Sequence, residues 1–178
     1  VANYLSVVRL VKTQQRVTGV IVRDAETGKE MELKGRVIMN ATGVFSEDIL
    51  RMDTEPQDAA IPADQPRVAL SQGSHLVVDA AFLPGSTALL IPKTDDGRIL
   101  FAIPWHGKVL LGTTDLAVKT AVQEPRPLRS EIDYLLEYAG RYLQRCPEES
   151  DIRSRFAGLR PLVGARNGTN STASLSRE

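Results

Sequence analysis

The chain has 178 residues, with 22 basic and 22 acidic side chains and no formal net charge near neutrality. That length can bury one core, or one core with an appendage, and the balanced charge gives no general attraction for nucleic acid or an anionic membrane surface. Cys146 is the one cysteine, which excludes an internal disulfide and fits a reducing, cytoplasmic compartment. No apolar run nears the roughly 18 residues of a spanning helix, and the opening residues lack the basic patch and apolar block of a signal peptide. The first residue is Val1 and the last are Ser176-Arg177-Glu178, which reads as a segment excised from a longer protein.

The first elements are strands. Tyr4 to Val11 is rich in β-formers, and Arg16 to Arg23 carries Val17, Val20, Ile21 and Val22 before a turn at Glu26-Thr27-Gly28-Lys29 returns the chain through Met31 and Leu33. Arg36-Val37-Ile38-Met39 is a continuous apolar run, expected to be a strand buried inside a sheet, and it leads directly into Asn40-Ala41-Thr42-Gly43. Val44 to Met52 has the pattern of a short helix. Residues 53–66 turn polar and hold Pro56, Pro62 and Pro66, so an exposed loop between two units is expected there.

Val68 to Val78 predicts one strand, or two broken at Gly73. Leu89-Leu90-Ile91 and Ile99 to Ile103 flank Asp95-Asp96-Gly97, a hairpin signal, and Trp105-His106-Gly107-Lys108 is the turn into Val109-Leu110-Leu111. A helix follows, with Ser130 as N-cap and Asp133 three residues on. Its apolar positions are Ile132, Leu135, Leu136, Ala139 and Leu143, and Pro147 stops it. Ile152 to Leu162 predicts a last strand, and residues 167–176 a polar loop.

Single residues leave several readings open. His75, at a strand entry, is either a hydrogen-bonded, partly buried histidine or a proton-transfer group. His106 reads as a solvent-facing turn residue. Gly112-Thr113-Thr114-Asp115 either caps a strand end or lines a pocket; the glycines and lysine of a phosphate loop are absent. Arg160, where Pro161 is expected to end the strand ladder, and Arg177 are either surface residues or a clamp for a phosphate dianion. Two distant histidines and one cysteine offer no metal site, and no dinucleotide-binding glycine pattern occurs.

Taken together, the motifs narrow the choice. Val37-Ile38-Met39-Asn40-Ala41-Thr42-Gly43 resembles a segment of flavoproteins in the D-amino-acid-oxidase superfamily. Four further runs appear in the order found in FAD-dependent glycerol-3-phosphate dehydrogenases: Ser71-Gln72-Gly73-Ser74-His75-Leu76-Val77-Val78, Ile103-Pro104-Trp105, Leu111-Gly112-Thr113-Thr114-Asp115 and Gly158-Leu159-Arg160-Pro161-Leu162, with Ser176-Arg177-Glu178 after them. The resemblance covers the chain from about residue 16 onward.

It implies an α+β fold: an antiparallel or mixed sheet packed with helices, the substrate domain of a two-domain flavoprotein. Residues 1–45 would be the tail of the FAD-binding domain, 46–66 a helix and linker, and 67–178 the substrate-binding domain. By the same resemblance His75 and Arg160 are catalytic, and His75, Arg160 and Arg177 bind substrate. Ala41, Thr42, Gly43 and Arg160 contact FAD. The implied reaction oxidises sn-glycerol 3-phosphate to dihydroxyacetone phosphate by hydride transfer to FAD. Electrons then pass to a quinone, with peripheral attachment at the inner face of the cell membrane. The glycine-rich FAD loop is not among these residues, so the isolated chain is expected to hold no FAD and to be inactive. Two rivals stay open: another amino-acid or hydroxy-acid oxidase of the superfamily, and a non-catalytic β-sheet binding module.

Overall fold

The computed structural model describes residues 1–53, 68–91, 94–95 and 97–163, and the chain divides into two units, Val1–Pro66 and Arg67–Glu178. In the first, β1 (Leu5–Thr13), β2 (Arg16–Asp24) and β3 (Glu30–Lys34) form an antiparallel sheet in that order. Gln14 and Gln15 join β1 to β2 with φ of 50° and 63°, the left-handed pair that matches a two-residue hairpin to the strand twist. The expected turn before β3 is organised by Asp24, whose Oδ1 accepts from the backbone N–H of Glu26 at 2.8 Å and Thr27 at 3.2 Å.

The apolar run 36–39 departs from expectation. It is not a strand, and Val37 and Met39 are 73% and 85% exposed. A strand that is apolar on both faces needs ladder partners on both edges and cover above and below, and among the described residues it has no ladder partner. After it a tight turn at Gly43–Phe45 opens α1 (Ser46–Asp53), so the short helix expected from Val44 begins two residues later. Most of the expected loop at 53–66 lies outside the described residues.

The second unit is built on β4 (Val68–Asp79), which runs unbroken through Gly73. The segments β5 (Leu89–Ile91), β6 (Leu100–Trp105) and β7 (Lys108–Gly112) form the expected antiparallel meander, and β7 pairs with β4. At its second turn His106 and Gly107 have φ of 46° and 73°, and His106 is exposed, as the sequence suggests. A short strand, β8 (Leu116–Val118), and the long β9 (Ser154–Val163) lie on opposite edges of β4. The ladder between β4 and β9 continues past Pro161 to Val163, against the expectation that proline ends it. Among the described strands β9 pairs only with β4, and an edge strand tolerates a residue without an N–H.

The helix is α2 (Arg129–Tyr142), and it packs on β4 and β7. Ile132, Leu135, Ala139 and Leu143 face the sheet as expected, Leu136 is half-buried against the same core, and Tyr138 joins them. Opposite them are Leu76, Val78, Leu100, Ala102, Val109 and Leu111, the alternate residues of three adjoining strands. The N-cap is Leu128 and not Ser130. Glu131 reaches back to accept from the Leu128 N–H at 2.9 Å, so a buried carboxylate does the work assigned to Asp133. The α+β architecture expected from the sequence is the one observed: antiparallel sheets, with a helix layered on the larger one.

Candidate active site

Because side chains alternate along a strand, the residues opposite the α2 face are fixed by register. One row crosses four strands: Phe101 of β6, Gly112 of β7, His75 of β4 and Phe156 of β9 are successive partners. Two residues along, Gly73 pairs with Gly158, and two further on Ser71 pairs with Arg160. Leu90, Phe101, Trp105 and Phe156, all large and apolar, are exposed.

His75 lies in this row half-buried. Its ring stacks on Phe156 with centroids 5.1 Å apart and planes 12° from parallel. It also covers Gly112, where an added Cβ would fall 2.2 Å from the ring Cδ2, so position 112 has no room for a side chain while the imidazole is there. Burial, first, and the nearby Arg160 charge hold the His75 pKa below the ordinary 6.5, which keeps the imidazole neutral at neutral pH. Arg160 reaches across β4 in the same way. An added Cβ at Gly73 would be 2.1 Å from its Nη2. The guanidinium donates from Nη2 to Thr113 Oγ1 at 2.8 Å and from Nη1 to the Thr114 carbonyl at 3.3 Å. Two glycines on adjacent strands thus seat an imidazole and a guanidinium on one face.

On β9 the face is open. At Gly158, flanked on β9 by Phe156 and Arg160, an added Cβ would meet nothing within 4 Å. The imidazole and the guanidinium thus share one face of the sheet, next to a position where a side chain would meet nothing. Such a pair can bind an oxyanion and accept a hydroxyl proton.

The sequence left Thr113 and Thr114 as a cap or a lining, and the structure makes them the anchors of Arg160. Ser71, buried, donates to Asp115 Oδ1 and ties down the same segment. Arg177 lies outside the described residues. Ala41, Thr42 and Gly43 are exposed in the first unit, where Asn40 Oδ1 accepts from Thr42 Oγ1 at 2.8 Å and Asn40 Nδ2 donates to the Ser46 carbonyl at 3.0 Å. Gly43 has φ of 57° with open space where a side chain would be, so its backbone can be approached closely by a flat ligand. That turn, and separately the flat apolar face around His75, suit contact with a planar heteroaromatic group such as the flavin ring. Among the described residues no three His, Cys, Asp or Glu side chains converge on a metal position.

The chain belongs to the FAD dependent oxidoreductase family, which matches residues 2–172. Within that family it is similar to glycerol-3-phosphate dehydrogenases. It is 38% identical over 166 residues to the mitochondrial enzyme of Schizosaccharomyces pombe, covering 92% of this chain and 26% of that one. The mitochondrial enzyme of Rattus norvegicus is 34% identical over 185 residues, covering 99% and 24%. The chain therefore spans about a quarter of the length of these relatives. The glycerol-3-phosphate dehydrogenase from Bacillus halodurans complexed with FAD superposes with a TM-score of 0.76 at 32% identity, covering 92% of this chain and 32% of that one. The L-alpha-glycerophosphate oxidase from Mycoplasma pneumoniae shares the fold, with a TM-score of 0.64 at 18% identity, covering 92% and 40%.

Proposed function

We propose that this chain forms the substrate face of an enzyme that oxidises sn-glycerol 3-phosphate to dihydroxyacetone phosphate. The observation that carries the reading is the placement of His75 and a hydrogen-bonded Arg160 on one face of the sheet, over the neighbouring glycines Gly112 and Gly73. The similarity to glycerol-3-phosphate dehydrogenases supports it. When bound, FAD supplies the hydride acceptor. Neutral imidazole at His75 takes the C2 hydroxyl proton. Arg160, held by Thr113 and Thr114, stabilises the negative charge that develops on that oxygen. Arg177 is proposed as the phosphate ligand, since a guanidinium fork matches two phosphate oxygens. Ala41, Thr42 and Gly43 are proposed to contact FAD through their backbone.

Arg160 could pair with a phosphate or with an amino acid's carboxylate, and the similarity to glycerol-3-phosphate dehydrogenases favours the phosphorylated alcohol. Calorimetric titration of the chain tests this. Saturable binding of sn-glycerol 3-phosphate, with no heat from glycerol, an amino acid or a 2-hydroxy acid, is expected. Preferential binding of an amino acid or hydroxy acid transfers the chain to another branch of the superfamily, and no binding of any of them favours a non-catalytic module. A membrane quinone is the proposed electron acceptor, with peripheral attachment at the cytoplasmic face. Reduction of a soluble quinone analogue faster than oxygen, by an enzyme that joins this chain to the FAD-binding segments its relatives carry, tests that assignment.

A further inference from the structure

On the helix side of the sheet, beneath Thr114, lies a carboxylate that does more than cap α2. Glu131, in the first turn of α2, is 4% exposed. Its Oε1 accepts from Thr114 Oγ1 at 2.5 Å, and its Oε2 accepts from Gln72 Nε2 at 2.7 Å and from the Leu128 N–H at 2.9 Å. Thr114 Oγ1 accepts in turn from the Ser74 N–H at 2.8 Å. All three of its partners are uncharged. Burying a carboxylate without a cation costs several kcal/mol unless every oxygen is hydrogen-bonded. A helix start needs no such burial, because an exposed serine or aspartate caps as well. What the burial achieves is a junction of α2, β4 and the segment that follows β7.

That segment is the one that holds Arg160. The Thr114 side chain points down to Glu131, while its carbonyl and the Thr113 hydroxyl accept from the guanidinium above. We propose that Glu131 is a positioning residue for Arg160: by fixing Thr113 and Thr114 from beneath the sheet, it keeps the guanidinium over Gly73 and facing His75. Its importance to catalysis rests on the substrate reading above. The positioning itself can be measured without substrate.

The reporter is His75. Phe156 and Arg160 of β9 and Gly112 of β7 face the imidazole, and of these only Arg160 carries charge. The ring C–H resonances of His75 are followed through pH by NMR in the whole chain and in Arg160→Met, Glu131→Leu and Glu131→Gln. Arg160→Met removes the charge and should raise the His75 midpoint. Glu131→Leu should move it in the same direction, because the released guanidinium leaves its place over Gly73. Glu131→Gln should retain the wild-type midpoint. Its carbonyl can accept from Gln72 and Leu128 while its amide donates to Thr114 Oγ1. A merely structural Glu131 would lower thermal stability in Glu131→Leu and leave the midpoint where it was, which overturns the proposal. An unchanged midpoint in Arg160→Met also overturns it. Should Glu131→Leu lack a dispersed spectrum, Thr114→Val, which removes the hydroxyl bridge at constant shape, is judged by the same two outcomes. Affinity for sn-glycerol 3-phosphate on the same samples should fall about tenfold in Glu131→Leu, as for one weakened charge-assisted hydrogen bond. Failure of the wild-type chain to bind contradicts the substrate reading and leaves the His75 comparison intact, so the two failures are separable.

Discussion

Replacing Gly73 by alanine puts a methyl carbon where the Arg160 guanidinium lies. The new Cβ would stand 2.1 Å from Nη2 and 2.5 Å from both Cζ and Nη1, so the guanidinium has to move. The backbone at position 73 does not resist the change, since Gly73 continues an ordinary strand, where alanine is favoured over glycine by about 0.5–1 kcal/mol. The loss is the pair of hydrogen bonds to Thr113 Oγ1 and the Thr114 carbonyl, at 2.8 and 3.3 Å. Because Arg160 is half-exposed and the second bond is long, about 1.5 kcal/mol for the pair is reasonable, the lower end for a charged donor. Net stability should therefore change by less than about 1 kcal/mol. The site should change far more. Binding of sn-glycerol 3-phosphate by calorimetry should weaken by about tenfold or more, and the His75 midpoint should rise as the Arg160 charge retreats. A Gly73→Ala chain with a native spectrum, wild-type affinity and an unmoved His75 midpoint would show that Arg160 does not lie where the geometry has it.

In an enzyme that joins this chain to the FAD-binding segments its relatives carry, His75→Asn should lower turnover by about 10²–10⁴ and change substrate affinity much less, measured by steady-state kinetics. Since burial and then Arg160 hold the His75 pKa below 6.5, wild-type kcat/KM should be level through neutrality and fall only as pH drops below that value. Leu135→Ala empties a fully buried position between α2 and the sheet and should cost about 2–5 kcal/mol, read from denaturant unfolding. The Asp79 carboxylate is held down to a pKa of about 2, first by hydrogen bonds from Arg153 and then from Lys108. Its stabilisation is complete above the unfolded value of 3.8 and is lost as pH falls towards 2. Asp79→Asn should thus lower the thermal midpoint near neutrality, with the difference from wild type shrinking in acid.

Local signals read well where one interaction decides the conformation. Residues 95 and 97 mark the hairpin and the spacing of Ile132, Leu135, Ala139 and Leu143 marks α2, because turn chemistry and one buried stripe suffice for each. The run 36–39 misleads because apolarity records a need for neighbours without supplying them. Pro161 misleads because the rule against proline in ladders depends on whether the strand is an edge, which is a property of topology. Family motifs singled out His75 and Arg160, which share one face of the sheet, but Gly73 and Gly112 as their seats were not legible, since a glycine's use shows only when another side chain crosses it. Glu131 did leave a trace: with Leu135 and Ala139 it continues the buried stripe at intervals of four residues, and a carboxylate on such a stripe implies a buried polar junction.

The central claim is that one face of one sheet recognises a phosphorylated alcohol, and the most direct measurement locates where the ligand sits. In an NMR titration of the isotope-labelled chain with sn-glycerol 3-phosphate, the saturable shifts should centre on the His75 ring, the Arg160 side chain and the backbone of Gly158 and Thr113. Core residues on the α2 side, such as Leu76 and Leu111, should move little. Saturable shifts clustered away from this face, or equal shifts on adding glycerol, would contradict the account.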